Sequence, residues 1–279
     1  MDTTTNQGKV WLVTGASKGL GLNLTKLLLS SGHRVIATSR NAASLEEAIT
    51  ENKEALYSVA LDITSDEDVK SAIDKAIAHF CKIDVVVNNA GYALVGSMEE
   101  MTDAEFRSTM DVNLFGTVNI IRHVTPHLRQ QGSGHIINIS SNAGYAGFAN
   151  AASYNAAKFA VIGLTEALAQ EVKPFGIKTT VVAPGQFRTE FMNSLQYVEH
   201  RIADYGVDEA EKTWSKASGT QPGDPDKLVS ILLRISEMEE PPLHLLLGSD
   251  TYDLVLQKRK EEAAEFEQWR ELTLSTNFD

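Results

Sequence analysis

The 279-residue sequence predicts a single α/β domain built on a doubly wound parallel sheet. Three observations lead there. Short β-branched runs alternate with segments of helical periodicity from residue 9 onward. Most of these runs are apolar on both faces, as strands covered by helices on each side are. The connections between them are short, which suits right-handed crossovers between parallel strands. No internal repeat and no Pro/Gly/Ser-rich linker divides the chain, so one domain is expected over residues 1–279.

The first strand, "KVWLVTG" (9–15), runs into "VTGASKGLG", a glycine-rich turn that opens a helix at about 19–31. Gly15, Gly19 and Gly21 permit a tight turn and let backbone N–H groups approach a pyrophosphate at a helix N-terminus. The spacing is Gly-x-x-x-Gly-x-Gly rather than Gly-x-Gly-x-x-Gly, and its place between strand one and helix one is what favours phosphate binding. The second strand, "RVIATSR" (34–40), ends on Ser39 and Arg40. An NAD site usually has a carboxylate at that tip for the ribose 2′-hydroxyl. Here there is none, and Arg40, with Lys18 inside the glycine turn, suits a 2′-phosphate. Two solvated surface cations would leave the same pattern. NADP(H) is the expected cofactor.

A helix at 43–52, a strand "LYSVALDI" (56–63) and a helix at 66–81 follow, the last announced by Ser65 or Thr64 ahead of an acidic first turn. Next come "DVVVNNAG" (84–91), a long helix at 103–130, "GHIINISS" (134–141), a helix at 154–173 and "IKTTVVAPG" (177–185). Tyr154 and Lys158 stand four apart, hence on one face of their helix. That spacing alone fits a packed tyrosine beside a solvated lysine as well as it fits a shared site. After Gly185 the pattern changes. Residues 186–222 lack a strand signal and mix polar with aromatic residues, an expected lid over one end of the sheet in which Tyr205 and Trp214 face substrate or pack. A helix at 224–238, the strand "LHLLLG" (243–248) and a charged helix at 251–272 close the chain. A solvated face plus a packing stripe accounts for that last helix, which is also a candidate subunit contact.

Composition narrows the function. The formal charge is −12, from 37 acidic and 25 basic residues, which argues against non-specific binding to nucleic acid or an anionic membrane. One cysteine, Cys81, excludes an internal disulfide and fits a reducing compartment. His123, His127 and His135 form no metal-like cluster and are expected to satisfy local hydrogen bonds; no metal is expected. The N-terminus has neither a basic n-region nor a long apolar stretch, and no window reaches the roughly 18 apolar residues of a membrane span. The sequons at Asn23 and Asn138 fall within expected regular structure and are taken as chance. A soluble cytoplasmic protein is expected.

Taken together, "TGASKGLG", "NNAG" (88–91), Asn113, Ser141, "YNAAK" (154–158) and "PG" (184–185) resemble the short-chain dehydrogenase/reductase family, in its order, with Ser141 thirteen residues before Tyr154. The branch with hydroxysteroid dehydrogenases and carbonyl reductases is the most similar. The resemblance implies a Rossmann-type core over 8–185, a substrate lid at 186–222 and a C-terminal helix–strand–helix at 223–279. It implies a catalytic set of Asn113, Ser141, Tyr154 and Lys158: tyrosine as acid/base, lysine lowering its pKa and binding the nicotinamide ribose, serine holding the substrate oxygen, and the asparagine backbone holding a water in a proton relay. Ser140 is expected to point away from the site. Cofactor contacts are implied for Gly15, Ser17, Lys18, Gly19, Leu20, Gly21, Ser39, Arg40, Asp62, Ile63, Asn89, Ala90, Gly91, Tyr154, Lys158, Pro184, Gly185, Phe187 and Thr189, with Asn88 bracing the sheet. The implied activity is NADP(H)-dependent interconversion of a small-molecule carbonyl and a secondary alcohol, by a homodimer or homotetramer. A non-catalytic NADP-binding sensor has no need of Tyr154, and Arg40 without a carboxylate speaks against an NAD-linked alcohol dehydrogenase.

Overall fold

Seven parallel strands form the centre of the protein, in the order β3-β2-β1-β4-β6-β7-β9. The computed structural model describes residues 8–278; the readings that fall on residues 1–7, the absence of a leader or anchor among them, and on Asp279 lie outside these. In chain order the elements begin β1 (Val10–Thr14), α1 (Gly19–Ser30), β2 (Arg34–Ser39), α2 (Ala42–Ala48), β3 (Leu56–Ala60), α3 (Asp66–Phe80) and β4 (Val85–Asn88). They continue with β5 (Leu94–Val95), α4 (Asp103–Met110), α5 (Gly116–Gln131), β6 (Gly134–Ile139), α6 (Ala152–Val172) and β7 (Ile177–Pro184). Then come β8 (Gln196–Tyr197), α7 (Val207–Ala217), α8 (Pro225–Glu237), β9 (His244–Leu247), α9 (Ser249–Gln268) and α10 (Arg270–Leu274).

The two-faced apolar strands divide their side chains between two cores. Val10 and Leu12 of β1, Ile36 of β2, Val86 of β4 and Ile136 of β6 join α3, α5 and the end of α6 on one face. Their neighbours Trp11, Val13, Val35, Val85, Val87 and Ile137 join α1, α2 and α8 on the other. Alternation along each strand delivers successive side chains to opposite layers, which is why nearly every position had to be apolar. The chain winds outward through β1, β2 and β3, then restarts at β4 on the other side of β1. That reversal is the switch point of the sheet, and ligands of open α/β sheets bind at the carboxyl ends of the strands there.

Two expectations need correction. The segment 186–222 does contain a strand: β8 pairs in parallel with β5, Leu94 opposite Gln196 and Val95 opposite Tyr197. Both strands are two residues long, too short to carry a period, so only tertiary contact defines them. The same segment also carries the helix α7. The helix expected at 103–130 is continuous but not uniform, because residues Asp111–Phe115 form a π-helical turn between α4 and α5. As expected, Ser65 caps α3, accepting from the Asp68 N–H at 3.2 Å.

Candidate active site

The glycine turn and the end of β4 are fastened to one another. Thr14 Oγ1 accepts hydrogen bonds from the N–H groups of Asn89 (3.0 Å) and Ala90 (3.1 Å). Asn89 Nδ2 donates in return to the carbonyls of Thr14 (2.9 Å) and Gly15 (3.2 Å). Gly15 sits at φ +65°, and a Cβ there would lie 2.8 Å from Ala90 Cα. A Cβ on Gly21 would run into the Gly15 carbonyl oxygen. The turn is thus drawn as tight as backbone allows. Lys18, at the N-cap of α1, makes no side-chain cap, so the first N–H groups of the helix remain available to an anion. A pyrophosphate fits this cradle. Ser17 and Leu20 are half-buried beside it, Lys18 is exposed, and Thr189 reaches the turn from beyond β7, its Cβ 4.0 Å from where a Cβ on Gly19 would stand.

At the tip of β2, Arg40 is exposed while Ser39 is buried. The Ser39 hydroxyl is engaged locally, donating to the Asn41 carbonyl at 2.7 Å and accepting from the Asn41 N–H at 3.1 Å. The outward-facing cation is therefore Arg40. Asp62 accepts from both the N–H (2.9 Å) and the hydroxyl (2.7 Å) of Thr64. Those hydrogen bonds, the hydroxyl's first, hold its carboxyl below the usual range, with Arg40 adding to the effect. Ile63 is buried, and its carbonyl accepts from Asn119 Nδ2 at 3.1 Å.

The four candidate catalytic residues converge from three elements. Asn113 lies in the π turn, buried, with Nδ2 donating to the carbonyls of Tyr92 (2.9 Å) and Thr109 (3.0 Å) and Oδ1 left without a partner. Lys158 is buried on α6 and donates to the Ile139 carbonyl at 3.0 Å. Burial pulls its pKa down to about 8. One turn earlier on the same face is Tyr154, its ring centroid 5.5 Å from Lys158 Nζ. Ser141 lies near enough to the Tyr154 phenol to bear on its ionisation. Ser141 Oγ also donates to Asn142 Oδ1 (3.0 Å) and accepts from the Ala143 N–H (3.2 Å). Ser140 points the other way, donating to the Lys158 carbonyl at 2.9 Å.

The expected effect of Lys158 on Tyr154 is not what this arrangement produces. Burial pushes the phenol up to about 12, with the nearby Ser141 hydroxyl acting in the opposite direction. The Lys158 ammonium addresses the ring face and donates to the Ile139 carbonyl, and burial sets the direction of the phenol's shift. The phenol holds its proton more firmly than a free tyrosine does.

Other residues brace this geometry. Asn88 Nδ2 donates to Asn138 Oδ1 (2.8 Å) and Asn138 Nδ2 to Thr165 Oγ1 (2.9 Å), a buried chain tying β4 and β6 to α6. Sequence reasoning missed Thr14 and Asn155. Asn155 donates to the carbonyls of Ala143 (2.7 Å) and Ala146 (2.8 Å) and accepts from the Phe148 N–H (3.1 Å), clamping the Ser141 loop onto α6. Its position beside Tyr154 was visible; its partners were not. From the segment after β7, the Phe191 ring stands 6.1 Å from that of Tyr154. Pro184 and Gly185 end β7, with the Gly185 N–H donating to the Leu247 carbonyl at 2.8 Å. Phe187 packs against the α1/α8 core. The histidines are local: His123 contacts Asp66 (2.9 Å), His127 approaches Asp74 (3.9 Å) and His135 contacts Thr180 (2.9 Å). Among the described residues no group of three or more His, Cys, Asp or Glu could hold a metal, and no helix is long and apolar enough to cross a membrane.

A glycine turn at the sheet's switch point beside a Ser–Tyr–Lys constellation defines an oxidoreductase of the nicotinamide-nucleotide class. The family model for short chain dehydrogenases matches residues 9–199, and the chain belongs to that family. It is 38% identical over 271 residues to Oxidoreductase BOA17 of Botryotinia fuckeliana, covering 96% of this chain and 99% of that one. The structure of a short-chain dehydrogenase from Streptomyces avermitilis superposes with a TM-score of 0.89 at 33% identity, covering 97% of this chain and all of the other. ElxO with NADP bound gives a TM-score of 0.74 at 27% identity, over 88% of this chain and 99% of that one. Solved neighbours hold NADP in some cases and NADH in others.

Proposed function

We propose that the protein is an NADP(H)-dependent oxidoreductase that interconverts a small-molecule carbonyl and a secondary alcohol, working as a ketone or carbonyl reductase. The observation that carries this reading is Lys158 placed one helical turn from Tyr154 on the same face, its Nζ 5.5 Å from the phenol ring centroid, with Ser141 beside them. NADPH, when bound, supplies the hydride for the carbonyl carbon. Ser141 and Tyr154 hold the carbonyl oxygen between two O–H donors, and Tyr154 gives that oxygen its proton. A phenol pushed up to about 12 is loaded at neutral pH, which suits reduction. Lys158 holds the nicotinamide ribose, and Asn113, in its π turn, orders the proton relay behind it.

Gly15, Ser17, Gly19, Leu20 and Gly21 cradle the pyrophosphate, while Lys18 and Arg40 meet the 2′-phosphate. Asp62 and Ile63 border the adenine, Asn89, Ala90 and Gly91 the adenosine half, and Pro184, Gly185, Phe187 and Thr189 the nicotinamide end. Residues 186–222 act as the substrate lid. The protein works in the cytoplasm as a homodimer or homotetramer. The test is a screen of NADPH oxidation across aliphatic, aryl, keto-ester, steroid and quinone carbonyls, with Tyr154→Phe as control. Loss of most turnover with NADPH binding intact is expected; near wild-type kcat in that variant would sink the acid/base role.

A further inference from the structure

A carboxyl group is wedged between two glycines at the carboxyl end of β7. Gly185 follows β7 and Gly248 precedes α9. A Cβ on Gly185 would lie 2.3 Å from both carboxyl oxygens of Asp250, and a Cβ on Gly248 would lie 2.4 Å from Oδ1. Neither position has room for a side chain while Asp250 keeps its place. Asp250 is half-buried in the first turn of α9, three residues past Leu247, which stands opposite Pro184 in the sheet.

An acidic residue there stabilises its own helix through the helix dipole. This one also reaches across the sheet, where its Oδ2 accepts a hydrogen bond from the Gln186 N–H at 2.8 Å, a contact 64 residues apart in the chain. The neighbouring Gly185 N–H donates to the Leu247 carbonyl, also at 2.8 Å. Two successive amides after β7 are thus tied to the β9–α9 turn. On its other side, the Gln186 carbonyl accepts from the Gly223 N–H at 3.0 Å, and the Gly223 carbonyl accepts from the Arg188 N–H at 3.0 Å. The two ends of the segment 186–222 therefore meet at Gln186, and Asp250 is the side chain that fastens Gln186 to the sheet.

In the proposed nucleotide site, Pro184 and Gly185 border the nicotinamide end. A turn already held in its bound shape spares the ligand the entropy of ordering it.

We propose that Asp250 is a positioning residue for the nicotinamide end of the cofactor: through the Gln186 N–H it sets the Pro184–Gly185–Gln186 turn before the nucleotide arrives. The inference rests on the proposed nucleotide site and adds to it a residue that acts through the backbone alone.

The test is binding to the full chain, by fluorescence titration, of NADPH and of 2′-phospho-ADP-ribose, which lacks the nicotinamide. Asp250→Ala is expected to weaken NADPH about tenfold, the low end for a hydrogen bond to a charged group because this one is open to solvent. The nicotinamide-free fragment should bind that variant as it binds wild type, which also shows that the fold and the glycine turn are intact. Asp250→Asn keeps an oxygen for the Gln186 N–H and is expected to restore most of the NADPH affinity. Should wild type favour NADH, the same comparison runs with NADH and ADP-ribose. Unchanged dinucleotide affinity in Asp250→Ala, or equal weakening of dinucleotide and fragment, would overturn the inference alone. So would an Asp250→Asn variant as weak as Asp250→Ala, which would leave only the charge at the helix end. Wild-type protein that binds neither NADPH nor NADH would overturn the nucleotide reading itself and this inference with it, and the wild-type titration tells the two failures apart.

Discussion

Lys158 carries a cost that can be measured apart from catalysis. Its ammonium is buried with one carbonyl partner, and burial draws its pKa from 10.5 to about 8. At about 1.4 kcal/mol per pH unit, the charged side chain destabilises the fold by something on the order of 3 kcal/mol. Below pH 8 the amine is protonated in both folded and unfolded chains, so the full cost applies. Between 8 and 10.5 the unfolded chain binds more protons than the folded one, and wild-type stability recovers as pH rises. Lys158→Met removes the charge at similar length, but loses the hydrogen bond to Ile139 and the contact with the Tyr154 ring, together about 1–2 kcal/mol. The variant is therefore expected to be more stable than wild type by about 1–2 kcal/mol at pH 7. The difference shrinks as pH climbs and changes sign near the top of the window. Activity should fall throughout, the pattern of a site that trades stability for function. The assay is urea unfolding at fixed protein concentration, at several pH values from 7 to 10. A variant less stable than wild type at pH 7, or a difference that does not change with pH, would refute the reasoning.

Gly15→Ala is expected to abolish nucleotide binding, because the added Cβ meets Ala90 Cα and φ is +65°; cofactor titration by fluorescence checks it. Ser39→Asp with Arg40→Gln should turn a preference for NADPH, on the order of a hundredfold or about 2.7 kcal/mol, toward NADH. Aspartate can still accept the Asn41 N–H, so the local turn survives; kcat/KM for both cofactors at low salt decides, and a wild type favouring NADH would sink the assignment. In hydrogen exchange, residues 196–198 should be protected already without ligand, since β8 is paired with β5 and the Val198 N–H donates to the Val95 carbonyl at 3.0 Å. The flanks at 186–194 and 206–220 should slow only when NADP and a substrate analogue bind together, and equal protection in both states would contradict closure.

How much of this was legible in the sequence follows from how far apart the interacting residues lie. The fold class rests on short-range pattern: a strand buried on both faces must be apolar at nearly every position, and "VWLVT" and "VVVN" carry that requirement in themselves. The glycine turn is equally local, since a tight bend between a strand and a helix needs residues without a side chain. Tyr154 and Lys158 share a face because both sit on one helix, four residues apart. Tertiary structure decided the rest. The strand β8 exists only because residues about a hundred positions earlier offer it a partner. The π turn places Asn113 with its amide between two carbonyls, and nothing in "DVNLF" distinguishes it from an ordinary helical turn. Asn155 is one polar residue among alanines until the loop after Ser141 folds back onto it. The protonation of the site belongs to the tertiary level as well. The sequence put an ammonium one turn from a phenol, which favours ionisation of the phenol; packing took water from both groups, and desolvation grows with burial, which no local spacing encodes.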